Sequence, residues 1–194
     1  MVDSQHPSPG AAGTLYTVGH SNRSLDEFLE VLHTVGIQQL IDVRSHPSSR
    51  RFPVFNRSPL RQALADEDMA YAWLGHELGG RRRERSDSPH TALASDGFRG
   101  YADHMATPLF QQGMAQVTAL ARQAKVALMC AERDPAQCHR SLLADYLVLH
   151  HWEVIHLIDT TQRQGHQLNP LARAQGRLPV YDQLHQEQLD LSFD

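Results

Sequence analysis

The sequence predicts an α/β fold, a three-layer structure with a mainly parallel sheet of about five strands and helices on both faces. Three observations carry this expectation. Short apolar runs alternate with amphipathic stretches along the chain, the order in which parallel strands and crossover helices follow one another. Runs such as VALMC (Val126 to Cys130) are continuously apolar, which marks strands covered on both faces. A length of 194 residues suits one domain with a single core.

Residues 1–13 are polar and rich in Pro, Ser and Gly, and read as a flexible N-terminal tail. The single domain is expected over 14–159. LYTVGH forms the first strand, ending near Gly19, and SNRSLDEFLEVLHTVG the first helix. Ser24 and Glu27 make a capping box, Leu25, Phe28, Leu29 and Leu32 share a face, and Gly36 supplies the stop. Gln39 to Val43 is a second strand, interrupted by Asp42. After the loop RSHPSSRRFPVFN, Ser58 as cap and Pro59 as first residue open the next helix. Met69 to Leu74 gives a third strand. The segment 79–97, GGRRRERSDSPHTALASDG, has neither helical nor alternating period and reads as a mobile Arg-rich loop, of the length that functional lids have. Thr107 and Pro108 open a helix with Phe110, Met114, Val117 and Leu120 at helical spacing. VALMC is the fourth strand, about Cys138 to His150 a helix, and WEVIHLI the fifth strand. Residues 160–194 form a C-terminal extension packing on the domain, with a weak helix near Tyr181 to Leu191. There is no internal repeat.

Apolar residues make up 41% and charged residues 21%, within the globular range, and a net charge of −4 excludes a polycationic binder of nucleic acid or membrane. No stretch approaches the roughly 20 apolar residues that span a bilayer. The start, MVDSQHPSPGAAG, lacks the basic and apolar regions of a secretion signal. Cys130 and Cys138 are too few for a secreted disulfide framework, so a cytoplasmic location is expected, with thiols that are core, catalytic or metal-bound. Of 18 basic residues only Lys125 is lysine. Coding bias explains some arginines, and others fit forks for planar anions.

In open α/β sheets ligands sit in the loops after the strand ends. Those loops concentrate Gly19, His20, Ser21 and Asn22; Asp42, Arg44, His46, Ser49 and Arg50; Gly75, Gly79 and Gly80; and Glu132, Arg133, Cys138, His139 and Arg140. The opposite connections show no such clustering. Cys138-His139-Arg140-Ser141 opens a helix, where an anion is favoured and a thiol is activated. Cys130, Cys138 and His139, joined by His20 or His46, suit a metal, although the gap between the cysteines is wider than in the common zinc pairs. Asp42, inside an apolar strand, needs a partner such as Arg44, Arg50 or Arg140, or else a raised pKa. With Glu132 it forms a pair of carboxylates for acid-base work. Arg81, Arg82, Arg83 and Arg85, near Phe98 and Tyr101, suit a phosphate backbone. His156 in VIHL is a buried core histidine or a group reaching the site.

The runs TVGHSN, DVRSHPSSRRFPVFN, YAWLGHELGG and LMCAERDPAQCHRSLLADYL, in that order, resemble the characteristic blocks of the domain of unknown function 488 family over about residues 15–158. The resemblance implies an α/β domain and candidate positions, but no reaction.

The expectation is a hydrolase-like enzyme acting on a phosphate-bearing small molecule or a nucleic-acid component, since no Gly-x-Gly-x-x-Gly dinucleotide motif follows a strand. Asp42, Glu132, Cys138 and His139 are the catalytic candidates. His20, Ser21, Asn22, Arg44, Ser49, Arg50, Gly79, Gly80 and Arg140 are the anion-binding ones. The cofactor is unspecified, the partner is a small or nucleic-acid-derived anion, and no membrane is involved. The alternatives are a non-catalytic anion or nucleic-acid binding module, and a metal-binding protein using Cys130, Cys138 and histidines.

Overall fold

The computed structural model describes residues 12–182. The expectations for residues 1–11 and 183–194, which include nearly all of the tail and most of the weak C-terminal helix, lie outside them. Tyr181, the expected start of that helix, ends a strand instead.

The chain runs β1 (Gly13–Gly19), α1 (Leu25–His33), β2 (Gln39–Asp42), α2 (Arg57–Asp66), β3 (Ala70–Trp73), α3 (Gly75–Leu78), α4 (Asp96–Met105), α5 (Pro108–Ala121), β4 (Val126–Cys130), α6 (Arg140–Leu149), β5 (Trp152–Leu157), β6 (Arg163–Gly165), β7 (Ala172–Gln175) and β8 (Leu178–Tyr181). The main sheet has six strands in the order β3-β2-β4-β1-β5-β6. Its first five pair in parallel, as expected, and β6 adds an antiparallel edge. β7 and β8 form a separate antiparallel pair.

The pleat divides the core in two. Ala127 and Met129 of β4 face Phe28, Val31 and Leu32 of α1 and Leu60 and Leu64 of α2. Val126, Leu128 and Cys130 point the other way, onto Tyr101 and Met105 of α4, Phe110 and Met114 of α5, and Leu142, Leu143 and Leu147 of α6. The three layers are thus α1–α2, sheet, and α3–α6.

Local signals fix most boundaries. The Ser24 hydroxyl accepts from the Glu27 amide, and the Glu27 carboxylate accepts from the Ser24 amide, closing the capping box. Thr107 caps α5, with Pro108 in its first turn. Two starts differ from expectation. α2 begins at Arg57 with Asn56 in the cap position, so Pro59 sits inside the first turn, where no amide needs an intrahelical partner. Asn56 does not cap with its side chain, because its Oδ1 accepts from the Ser49 amide at 2.6 Å. α6 begins at Arg140 rather than Cys138. A short 3-10 turn, Pro135–Gln137, is capped by Asp134 and leaves Cys138 extended, with His139 as the cap residue. α4 goes beyond the sequence expectation, because Gly97 and Gly100 dilute its helical signal. The Ser95 hydroxyl, accepting from the Phe98 amide, supplies its start.

Residues 79–95 carry no regular element and are tethered at several points. Arg82 donates to the Gly79 and His76 carbonyls, the Arg85 amide to Asp103, and Leu93 is buried in the core. The C-terminal segment is pinned to α6 by Asp145, which accepts from the Tyr181 hydroxyl, the Asn169 amide and His166.

Candidate functional site

β1 and β4 are neighbours, with Gly19 in register with Cys130, and the chain leaves them in opposite directions. From β1 it passes through α1 to β2 on one side; from β4 it passes through α6 to β5 on the other. Such a switch point opens a crevice beyond the strand ends. The two loops lie against each other there. A Cβ at position 19 would overlap the Glu132 carbonyl, so only glycine admits the loop after β4. The His20 and Ser21 amides donate to the Cys130 and Ala131 carbonyls, and Ser21 is held in the left-handed region at φ 51°.

On the β2 side, burial is matched by dense hydrogen bonding. Asp42 is fully buried, and its Oδ1 accepts from the Arg44 amide and Nε while its Oδ2 accepts from Arg44 Nη2 and the Tyr71 hydroxyl. That uses all four lone-pair directions of the carboxylate. Arg44 is engaged through four of its five guanidinium hydrogens, donating further to the Phe55 carbonyl and, through one Nη1 hydrogen, to His20 Nε2. The His20 ring stacks on Phe55 and bonds the Ser21 carbonyl through Nδ1, which assigns the proton to Nδ1. Burial, with Arg44 beside it, pushes the His20 pKa down to about 4, so the ring is neutral at pH 7.

On the β4–α6 side three buried groups converge. His139 Nδ1 lies 3.6 Å from Cys138 Sγ and 3.8 Å from Cys130 Sγ. The Cys138 thiol is held well below the usual thiol range, chiefly by a hydrogen bond from Cys130 and then by His139 and Arg140. The same bond, with burial, pushes Cys130 up. His139 packs on Tyr101, with ring centroids 4.9 Å apart, and a Cβ on Gly80 would come within 2.5 Å of its Nδ1. Unlike the β2 side, this cluster is incomplete: His139 Nε2 and Arg140 Nε are buried without a partner. It is also the one cluster of potential metal ligands found among the described residues.

Between these sides lies a cleft of two joined hollows, about 420 Å³ and about 660 Å³. The first is lined by Cys130, Cys138, His139, Gly80 and, from the loop before α4 and its first turn, Ser95, Gly97 and Phe98. The second is lined by His20, Ser21, Asn22, Ser48, Ser49, Arg51 and Phe52. Arg44, His46, Arg81, Ala131 and Glu132 border both. His46, Arg81 and Glu132 are exposed there.

The strand-end expectation thus gathers Glu132, Cys138, His139, His20, Ser21, Asn22, Arg44, Ser49 and Gly80 around one cleft. Asp42 lies beneath it, locked to Arg44. Arg140 is buried and turned into the fold, donating to the Glu132 and Arg133 carbonyls and to the Thr17 hydroxyl. It positions the loop that carries Glu132. Gly79 packs on Ser45, and Arg50 is exposed away from the cleft lining. Arg133 sits 4.0 Å from Asp159 beside a separate hollow of about 420 Å³. Tyr101 is fully buried, its hydroxyl donating to the Leu78 carbonyl, which removes it as a stacking platform. His156 bonds Thr17 and His166 in a chain ending at Asp145, and burial pushes its pKa down to about 3. It is a core histidine. His20 and His46 do not join the thiol cluster. Of the residues singled out for a phosphate backbone, Arg81 and Phe98 line the cleft; sequence reasoning missed Arg51, since nothing local separates it from neighbouring solvated positions.

The family model described as "Domain of unknown function DUF488" matches residues 24–147, more than half of the chain and all of the cleft except the first strand end. No curated protein and no solved structure matches the chain.

Proposed function

The chain belongs to the domain of unknown function DUF488 family, and from that premise we propose that it is a hydrolase-like enzyme acting on a small phosphate-bearing or nucleic-acid-derived anion. One observation carries the reading: a single cleft puts the buried Cys130–Cys138–His139 cluster, the exposed carboxylate of Glu132, and the cationic or titratable groups Arg81, Arg51 and His46 around the same space. A ligand held by Arg81, Arg51 and Ser49 at one end would reach the thiol–imidazole cluster at the other. The two hollows have the volume of ordinary small-molecule sites, which favours a nucleotide-sized ligand over a polymer.

Glu132 is the proton acceptor in this reading, in place of Asp42, whose lone pairs are all engaged. Arg81 takes the anion-holding role expected of Arg140. Free thiols at the reaction end agree with a reducing, cytoplasmic setting. Among the described residues no helix is long and apolar enough to cross a membrane.

The test is turnover of phosphomonoesters, nucleotides and nucleosides by the purified chain, read as released phosphate or free base. Glu132→Gln is expected to lower kcat by about 10²-fold or more, while Arg81→Ala raises KM. Salt-sensitive binding of these ligands without product from any class would replace the enzyme with an anion-binding module.

A further inference from the structure

We infer that Cys130, Cys138 and His139 form a binding site for a soft divalent cation, zinc above all, with one coordination position open to the cleft. The inference rests on the enzyme reading only for the use made of that position; the site itself stands on geometry.

The three donor atoms lie within 4.8 Å of one another, and all three residues are buried. Tetrahedral zinc, with bonds of about 2.3 Å to sulfur and about 2.0 Å to nitrogen, separates sulfur and nitrogen ligands by roughly 3.6 Å. His139 Nδ1 stands 3.6 Å from Cys138 Sγ and 3.8 Å from Cys130 Sγ, the edges such a tetrahedron requires. Hydrogen bonds from Cys130 and from His139 Nδ1 to Cys138 leave the 3.8 Å approach of Nδ1 to the Cys130 sulfur without a role. A single cation satisfies all three donors at once. Two thiolates neutralise its charge, so the buried site carries no net charge. Sulfur-rich donors select zinc over magnesium or calcium.

The donors are also held in place. Cys130 ends a central strand, Cys138 is fixed by its amide on the Pro135 carbonyl, and His139 caps α6 with its ring against Gly80 and Tyr101. Three protein ligands with a fourth position facing a cleft is the pattern of catalytic rather than structural zinc. A water there would give one proton to the Glu132 carboxylate and remain as hydroxide. His139 Nε2 lacks the outer acceptor that usually steadies a ligating imidazole, so affinity is expected to be about tenfold or more below that of fully supported sites, and chelators should strip the cation reversibly.

The test uses the full chain, reduced and chelator-stripped, titrated with Co²⁺ and then Zn²⁺. One Co²⁺ per chain, a thiolate-to-cobalt charge-transfer band and its loss on adding Zn²⁺ are expected. Cys138→Ser should weaken the band and Cys130→Ser/Cys138→Ser abolish it, and Gly80→Ala, which displaces the His139 ring, should weaken binding at least tenfold. Absence of the band in the wild-type chain overturns the site whether or not the variants fold, as does an unchanged titration in folded Cys130→Ser/Cys138→Ser. Full hydrolysis by the stripped chain refutes the role given to the cation and leaves the enzyme reading intact. Stoichiometric cobalt without turnover of any substrate class refutes the enzyme reading and leaves the site.

Discussion

Two buried polar clusters lie a strand apart at the same edge of the sheet, and they are built on opposite terms. Around Asp42, Arg44, Tyr71 and His20, the carboxylate's lone pairs and the guanidinium's three nitrogens all have partners. Around Cys130, Cys138 and His139, one nitrogen faces two sulfurs, and two buried nitrogens, on His139 and Arg140, have no partner. A nearly saturated cluster holds loops in place and has little left to offer a ligand. An unsaturated one is costly unless something else completes it. Both sets of residues look equally catalytic as a string of letters, and only the bonding pattern separates them.

The largest effect that tests this contrast is on stability. Asp42→Ala strands Arg44 with its charge buried, and loss of one partner from a buried ion pair costs about 3–5 kcal/mol. Cys138→Ala removes a small side chain from a cluster that is not bonded to completion, and about 1 kcal/mol is expected. Urea unfolding of the two variants measures the difference. Equal losses would end the division into a structural and a functional cluster.

A smaller effect follows from His20. Its pKa is about 4 folded against about 6.5 unfolded, so below pH 6.5 the unfolded chain binds the extra proton and the folded one resists it. The stability contributed by neutral His20 is therefore complete above pH 6.5 and is lost as pH falls from 6.5 towards 4, by on the order of 2 kcal/mol. His156, pushed down to about 3 by burial and by His166, works in the same direction. His20→Gln should shrink the stability difference between pH 7 and pH 4.5 while leaving the His156 share. If the difference does not change, the saturated cluster does not hold its histidine neutral.

How far the fold could be read from the letters depended on whether the signal was local. The capping box at Ser24, the Thr107–Pro108 start and the apolar run of β4 each act within a few residues, and each appears as expected. α4 escaped because its stability comes from Tyr101, Ala102 and Met105 packing in the core rather than from propensity. The site was legible as a layer, since the strand-end rule needs only strand positions. Roles within it were not. Whether Arg140 faces a ligand or the Glu132 and Arg133 carbonyls depends on residues distant in sequence, as does the saturation of Asp42 by Tyr71.

The smallest predicted effect makes that point with two neighbours. Arg50 and Arg51 share a loop, a charge and an exposed setting. Arg51 borders the cleft, with its guanidinium 5.2 Å from the centre of the Phe52 ring, which itself lines the cleft. Arg50 is not part of that wall. Neither substitution should alter stability by more than about 0.5 kcal/mol, the usual range for surface positions. Affinity for an anionic ligand should nevertheless fall with Arg51→Ala and stay unchanged with Arg50→Ala, measured by calorimetry at fixed salt. Equal losses would mean that the loop attracts anions by its summed charge; a loss confined to Arg51 would place the ligand in the hollow between the two clusters, with the saturated one as its floor and the thiol cluster at its far end.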